Sequence, residues 1–129
     1  MSSSATAAVQ INDIGQISVP VLDVARATAF YRDVVGLHHL FSAGNLSFFQ
    51  AGSVRIMLSI PEGTNATIPG SILYYRTPNI QAAYDGLVQR GAKPESKPHL
   101  IARMPDHELW LTDFQDSEGN LFALMEERR

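Results

Sequence analysis

In "QISVPVL" Ile17, Val19 and Val21 fall on one side of an extended segment, while Gln16, Ser18 and Pro20 fall on the other. That is the period of two expected of a half-buried strand. The period then changes to that of a helix. Asp23 supplies a cap, and in "DVARATAFYRDVVG" Val24, Ala27, Tyr31 and Val34 recur at helical spacing. Ala29, Phe30 and Val35 widen the stripe, and Gly36 supplies a left-handed stop. Three strand-like runs follow, "HHLFS", "LSFFQA" and "VRIMLSI", separated by the hairpin turns "AGN" and "GS". The first half therefore reads βαβββ.

The order returns after "PEGTNATIPG", a connector rich in turn and breaker residues. "SILYYR" predicts a strand. "NIQAAYDGLVQRG" predicts a helix whose stripe is Ile80, Ala83, Tyr84, Leu87 and Val88 and which stops at Gly91. "PHLIAR", "ELWLTDF" and "LFALMEE" are three further strands, joined by the turns "MPDH" and "QDSEGN". Two tandem βαβββ modules in an α+β chain, built by internal duplication, are the economical reading. The expected boundaries are a disordered lead-in over 1–12 and one domain over 13–129. Within that domain, module one spans 13–61, a linker 62–69 and module two 70–127.

Composition narrows the function classes. A chain of 129 residues, 45% hydrophobic and 18% charged, has the length for one compact domain with its own core. A net charge of -3 gives no polyanion-binding signature, so nucleic acid is not an expected partner. With no cysteine there are no disulfides, thiolate metal sites or cysteine nucleophiles, and the default location is cytoplasmic. "MSSSATAAVQ" lacks the basic and apolar regions of a secretory signal. No apolar run approaches the roughly 20 residues that span a bilayer, so no membrane partner is expected.

The two modules, the run "VPVLDVARATAFYRDVVGL" and the closing "DFQDSEGNLFALME" together resemble the vicinal oxygen chelate superfamily. Its members include glyoxalase I, extradiol dioxygenases, methylmalonyl-CoA epimerase, fosfomycin-resistance enzymes and bleomycin-resistance binding proteins. The resemblance covers residues 14–127. Ser117 stands where the D-P-x-G-N turn of the superfamily has proline, while Gly119 and Asn120 keep the permissive residues of that turn. The resemblance implies curled mixed sheets that form an open cup, with the ligand on the concave face. It also implies that metal ligands, where relatives have them, lie on the first and last strands of each module. Those positions carry over to Gln16, Met57, Ser71 and Ala123. An amide, a thioether, a hydroxyl and a methyl group are a poor set for zinc, iron or nickel. Shifts of one residue offer only Ile56 or Leu58, and Phe122 or Leu124. No metal and no other cofactor is expected.

Strand parity then predicts the cup lining as Gln16, Ser18, Arg55, Met57, Ser59, Ser71, Leu73, Tyr75, Leu121, Ala123 and Met125. The expected ligand contacts are Gln16, Ser18, Arg55, Met57, Ser59, Ser71, Tyr75 and Ala123. This mixture suits a partly apolar molecule oriented by a few polar groups. Arg55 on an inward face needs an anion, from the ligand or from a neighbouring carboxylate; at an outward sheet edge it pairs with a surface glutamate instead. His38 and His39 open the second strand. His99 and His107 flank a hairpin, and a two-residue turn at Met104 and Pro105 would put His99 opposite Trp110 and His107 opposite Ala102, on different faces. A longer loop could bring the two imidazoles together. Either could act as a base near neutral pH, and no sequence feature selects one. Asp116 to Asn120 has turn composition, so Asp116 and Glu118 read as turn residues. Phe48, Phe49 and Trp110 suit a core, a dimer contact or a planar ligand.

The reading that results is a metal-free small-molecule-binding protein that resembles the bleomycin-resistance proteins in mode. The alternative is a lyase, isomerase or epimerase-like enzyme using Tyr75, Arg55 or a histidine for proton transfer, or a relocated metal site. A homodimer is expected, because curled sheets leave strand edges and residues such as Trp110 in need of cover.

Overall fold

A computed structural model describes residues 9–61 and 70–129. The linker 62–69 and the first eight residues of the predicted lead-in lie outside the described residues. Module one runs β1 (Gln16–Pro20), α1 (Val24–Ala29), a π-helical segment (Phe30–Val35), β2 (His38–Ala43), β3 (Leu46–Ala51) and β4 (Val54–Ser59). Its sheet has the order β1-β4-β3-β2, with β1 parallel to β4 and the other pairs antiparallel. The alternation predicted for β1 sends Val19 into a core with Val21, Phe49, Ile56 and Leu58, closed from above by Ala27 and Tyr31 of the helix.

The helix keeps its predicted span but changes pitch halfway. Asp23 caps it by accepting the Arg26 amide at 3.0 Å. At the far end the amides of Gly36 and Leu37 both reach the Tyr31 carbonyl, at 3.0 and 2.9 Å. The wider π-helical turn leaves Tyr31 in the first core while turning Phe30, Val34 and Val35 toward module two. Gly36 ends it at φ 87, a conformation that costs a side chain dearly and glycine almost nothing.

Module two runs β5 (Leu73–Arg76), α2 (Ile80–Gln89), β6 (Lys93–Pro94), β7 (His99–Arg103), β8 (Glu108–Gln115) and β9 (Leu121–Arg128). The strand order is β5-β9-β8, with β6 and β7 sharing the outer edge of β8. The two-residue β6 is an addition to the predicted βαβββ pattern. Its Lys-Pro sequence carries no strand signal, and it forms because β8 is long enough to pair at both ends. The β7–β8 hairpin also differs from expectation. A four-residue turn closes with the Met104 amide on the His107 carbonyl at 2.8 Å, and a register shift follows Leu100. His99 therefore faces Leu111, and Leu100 faces Trp110.

The modules join on their helical sides. Phe30 packs edge-on against Phe122, with ring centroids 6.2 Å apart, and Arg90 donates to the Val34 carbonyl at 3.0 Å. The turn after β8 supplies the firmest link. Asp116 accepts the Tyr31 hydroxyl at 2.5 Å, and Asn120 donates to the Pro20 carbonyl at 2.7 Å. Glu118, with its side chain 1% exposed, accepts the amides of Leu22 and Asp23 and the guanidinium of Arg26, all within 3.0 Å. Burial opposes its ionisation, but the hydrogen bonds from Arg26, Ser117 and the two amides outweigh this and hold its carboxyl down at about 2. What reads in sequence as turn composition is an inter-module latch. No helix among the described residues is long and apolar enough to cross a membrane.

Candidate functional site

Each sheet has one face under its helix and one face turned away from it. On module one, Ile17, Val19, Ile56, Leu58 and Phe49 take the helical face, so alternation places Gln16, Ser18, Arg55, Met57, Ser59 and Phe48 on the open one. The register sets Gln16 beside Arg55 and Ser18 beside Met57. Gln16 is the hub: its Oε1 accepts Arg55 Nε at 2.7 Å, and its Nε2 lies 3.7 Å from Met57 Sδ as a weak donor. The Ser18 and Ser59 hydroxyls bond each other at 3.0 Å. The Arg55 guanidinium lies 5.6 Å from the Phe48 ring centroid, and Phe48 stacks on Phe41 at 4.5 Å.

On module two the expected parity is reversed in β5 and kept in β9. Leu73 and Tyr75 face the core, Leu73 against the first cluster and Tyr75 against the second, with Tyr75 6.1 Å from Phe122. The face turned away from the helix belongs to Tyr74 and Arg76, with Ala123, Met125 and Glu127, but the expected contact Ala123 is buried there at 2% exposure. Tyr75 is thus removed from the predicted lining, and burial pushes its phenol up to about 12, the nearby Asp116 adding to the effect. Ser71 precedes β5 and lines a cavity of about 570 Å³ between the modules with Pro20 and Tyr31, instead of a sheet face. Leu73 and Tyr75 line this cavity and a second one of about 890 Å³ with Leu37, Ile56 and Leu87.

The two helix caps correct the assignment. Asp23 and Asn79 both cap helices, and the residue seven places before each is Gln16 in module one and Ile72 in module two. The registers agree, since Ser18 pairs with Met57 as Tyr74 pairs with Ala123. The four equivalent positions are therefore Gln16, Met57, Ile72 and Ala123. Ile72 brings no donor atom, so the set is poorer than the one containing Ser71. The Gln16 amide is already committed to Arg55 and Met57, and these residues do not fit a divalent cation. Among the described residues no group of three or more histidine, cysteine or carboxylate side chains could hold a metal ion.

A charged chain occupies the far end of module two's open face. His107 Nδ1 donates to Asp106 at 2.7 Å, Arg129 donates to the other oxygen of Asp106 at 2.9 Å, and His107 Nε2 lies 3.7 Å from Glu127. Glu127 in turn lies 3.6 Å from Arg76. The bonds from His107 and Arg129 hold the Asp106 carboxyl below its ordinary range. His99 starts β7, at the opposite end of that strand from the turn holding His107, and bonds the Lys97 carbonyl. His39 lies toward the helical side, bonded to Ser42 at 3.0 Å and packed on Phe49. Phe41, Phe48, Tyr74, Arg76 and Glu127 lie on the open faces outside the predicted lining. Counting back from the Asn79 cap would have found Tyr74.

Paired βαβββ modules define a class in which one fold serves many chemistries. The chain matches the Glyoxalase/Bleomycin resistance protein/Dioxygenase superfamily over residues 13–124 and belongs to it. It is 27% identical over 127 residues to the uncharacterized protein YraH of Bacillus subtilis (strain 168), covering 84% of this chain and 94% of that one. Among solved structures it resembles a member of the same superfamily from Sphaerobacter thermophilus DSM 20745. That match has 25% identity and a TM-score of 0.74, over 91% of this chain and 98% of the other. It also resembles TnmS3, an antibiotic binding protein from Streptomyces sp. CB03234, at 23% identity and a TM-score of 0.72, over 93% and 99% of the two chains.

Proposed function

We propose that this chain is a metal-free small-molecule-binding protein of the superfamily, working as a homodimer in the cytoplasm and taking a partly apolar ligand that carries an anionic group. The observation that carries this reading is the contact of Gln16 with Met57 and Arg55. Two of the positions that the superfamily resemblance would assign to metal ligands meet here, as an amide and a thioether beside a guanidinium. An amide can orient a ligand by hydrogen bonding and cannot move a proton at neutral pH. TnmS3 is an instance of the same fold in an antibiotic binding protein. The test is a thermal-shift screen of small apolar anions and neutral analogues, followed by product analysis of each hit. Binding with the compound recovered unchanged supports the reading. Turnover of a bound compound contradicts it.

One observation favours an enzymatic second reading. Asp106 accepts from His107 Nδ1 and so orients the ring with Nε2 3.7 Å from Glu127, which shares the open face of module two with Tyr74 and Met125. Under that reading a lyase, isomerase or epimerase-like reaction would be lost in His107→Gln, with ligand affinity retained.

A further inference from the structure

The open face of module one has a direction. Six of the eight arginines lie within 4.0 Å of a carboxylate: Arg26, Arg32, Arg76, Arg103, Arg128 and Arg129. Arg90 spends its guanidinium on a main-chain carbonyl at the module junction. Arg55 has no carboxylate partner among the described residues. It is braced through Nε by the neutral Gln16 amide, which fixes the plane of the guanidinium without cancelling its charge. Its two Nη groups form the edge that can grip a carboxylate with two parallel hydrogen bonds.

Beside this cationic edge stands a row of aromatic rings. Phe48 has the guanidinium 5.6 Å from its centroid and Phe41 at 4.5 Å, with the two phenyl rings inclined at only 23°. Phe48, on the strand between β4 and β2, has the Arg55 guanidinium over its ring and the Phe41 ring stacked beside it, which leaves its hydrogen-bearing rim for a ligand. A flat aromatic system lying across that rim makes edge-to-face contacts, which a saturated ring of similar size does not. Phe41 is 49% exposed, and Met57, beside Phe48 in the register, supplies an adaptable apolar floor.

We propose that this face binds an elongated aromatic carboxylate, its anion gripped by the Nη edge of Arg55 and its ring system laid over Met57, Phe48 and Phe41, with Gln16 as the positioning residue for Arg55. The inference rests on the small-molecule-binding reading and narrows it to one ligand class. The span from the guanidinium to Phe41, bounded by the two separations of 5.6 and 4.5 Å, calls for two linked or fused rings and not one.

The experiment titrates the full-length protein by calorimetry with biphenyl-4-carboxylate, its neutral carboxamide, and the saturated bicyclohexyl-4-carboxylate, and follows the Met57 methyl resonance to locate binding. The carboxylate should bind at least about tenfold more tightly than the carboxamide, the factor expected for a charge-assisted pair. That preference should vanish in Arg55→Gln. It should vanish equally in Gln16→Glu, where the new carboxylate neutralises Arg55 without removing it. Phe41→Ala should weaken both aromatic probes about three- to tenfold more than it weakens the saturated acid, which loses apolar contact but no edge-to-face term. These surface substitutions are checked for unaltered melting temperature. Equal binding of acid and amide, a preference that survives Arg55→Gln, or no movement of Met57 with any probe would overturn the proposal. The metal content of the same samples reports separately on the underlying reading: a stoichiometric ion defeats both, whereas metal-free protein that binds other screen hits keeps the broader reading and loses this one.

Discussion

Replacing Glu118 by glutamine should loosen the junction between the modules, and the size of the effect can be worked from its contacts. Oε1 accepts the Leu22 and Asp23 amides and Arg26 Nη2, while Oε2 accepts Arg26 Nε. Glutamine keeps one acceptor oxygen and turns the other into a donor aimed at a donor. The depression of the carboxyl from 4.5 to about 2 corresponds to roughly 3 kcal/mol of preference for the ionised form in the folded state. The Arg26 side chain is 53% exposed, so solvent screening reduces this to about 1.5–2 kcal/mol. Urea unfolding at pH 7 should show that loss, with a melting temperature lower by about 5–10 °C. The sign of the pH dependence follows from the depressed value. The contribution is complete above the unfolded carboxyl's 4.5 and disappears as pH falls through that value toward 2. Wild type and Glu118→Gln should therefore converge between pH 4.5 and 2. A variant as stable as wild type at pH 7, or a stability gap unchanged down to pH 2, would refute the latch.

Tyr31→Phe removes one of the donors to the buried Asp116 and should cost about 1–2 kcal/mol in urea unfolding, since the hydroxyl leaves a polar acceptor short of a partner. The combined variant Gln16→His, Met57→Glu, Ile72→His and Ala123→Glu should acquire zinc affinity measurable by calorimetry; a folded variant that binds none would show the four positions to be wrongly matched. Light scattering should give a homodimer, because β1 and β5 are both sheet edges and Ile14, Leu22, Ile72 and Tyr74 stand exposed nearby. A monomer at high concentration would count against it.

The order of elements was legible because each signal was local: alternation in β1, a cap at Asp23 or Asn79, a glycine stop at Gly36 or Gly91. The open face of module one was legible for the same reason, since only one side of "QISVP" is apolar. "SILYYR" was not, because Ile72 and Tyr74 are as apolar as Leu73 and Tyr75, and alternation alone cannot say which pair is buried. The register shift between His39 and Phe41 puts Phe41, not Leu40, beside Phe48, and no composition signal marks it. The latch role of Glu118 depends on partners more than ninety residues away in the chain, which a turn motif cannot reveal.

The most direct test of a metal-free binding protein is elemental analysis of the purified chain, with thermal melts in EDTA, zinc, nickel and iron(II). Gln16, Met57, Ile72 and Ala123 offer no imidazole or carboxylate, so no stoichiometric metal should be present and no addition should move the melting temperature. One tightly held ion per subunit, with a melting temperature that rises on adding that ion and falls with EDTA, would contradict the account.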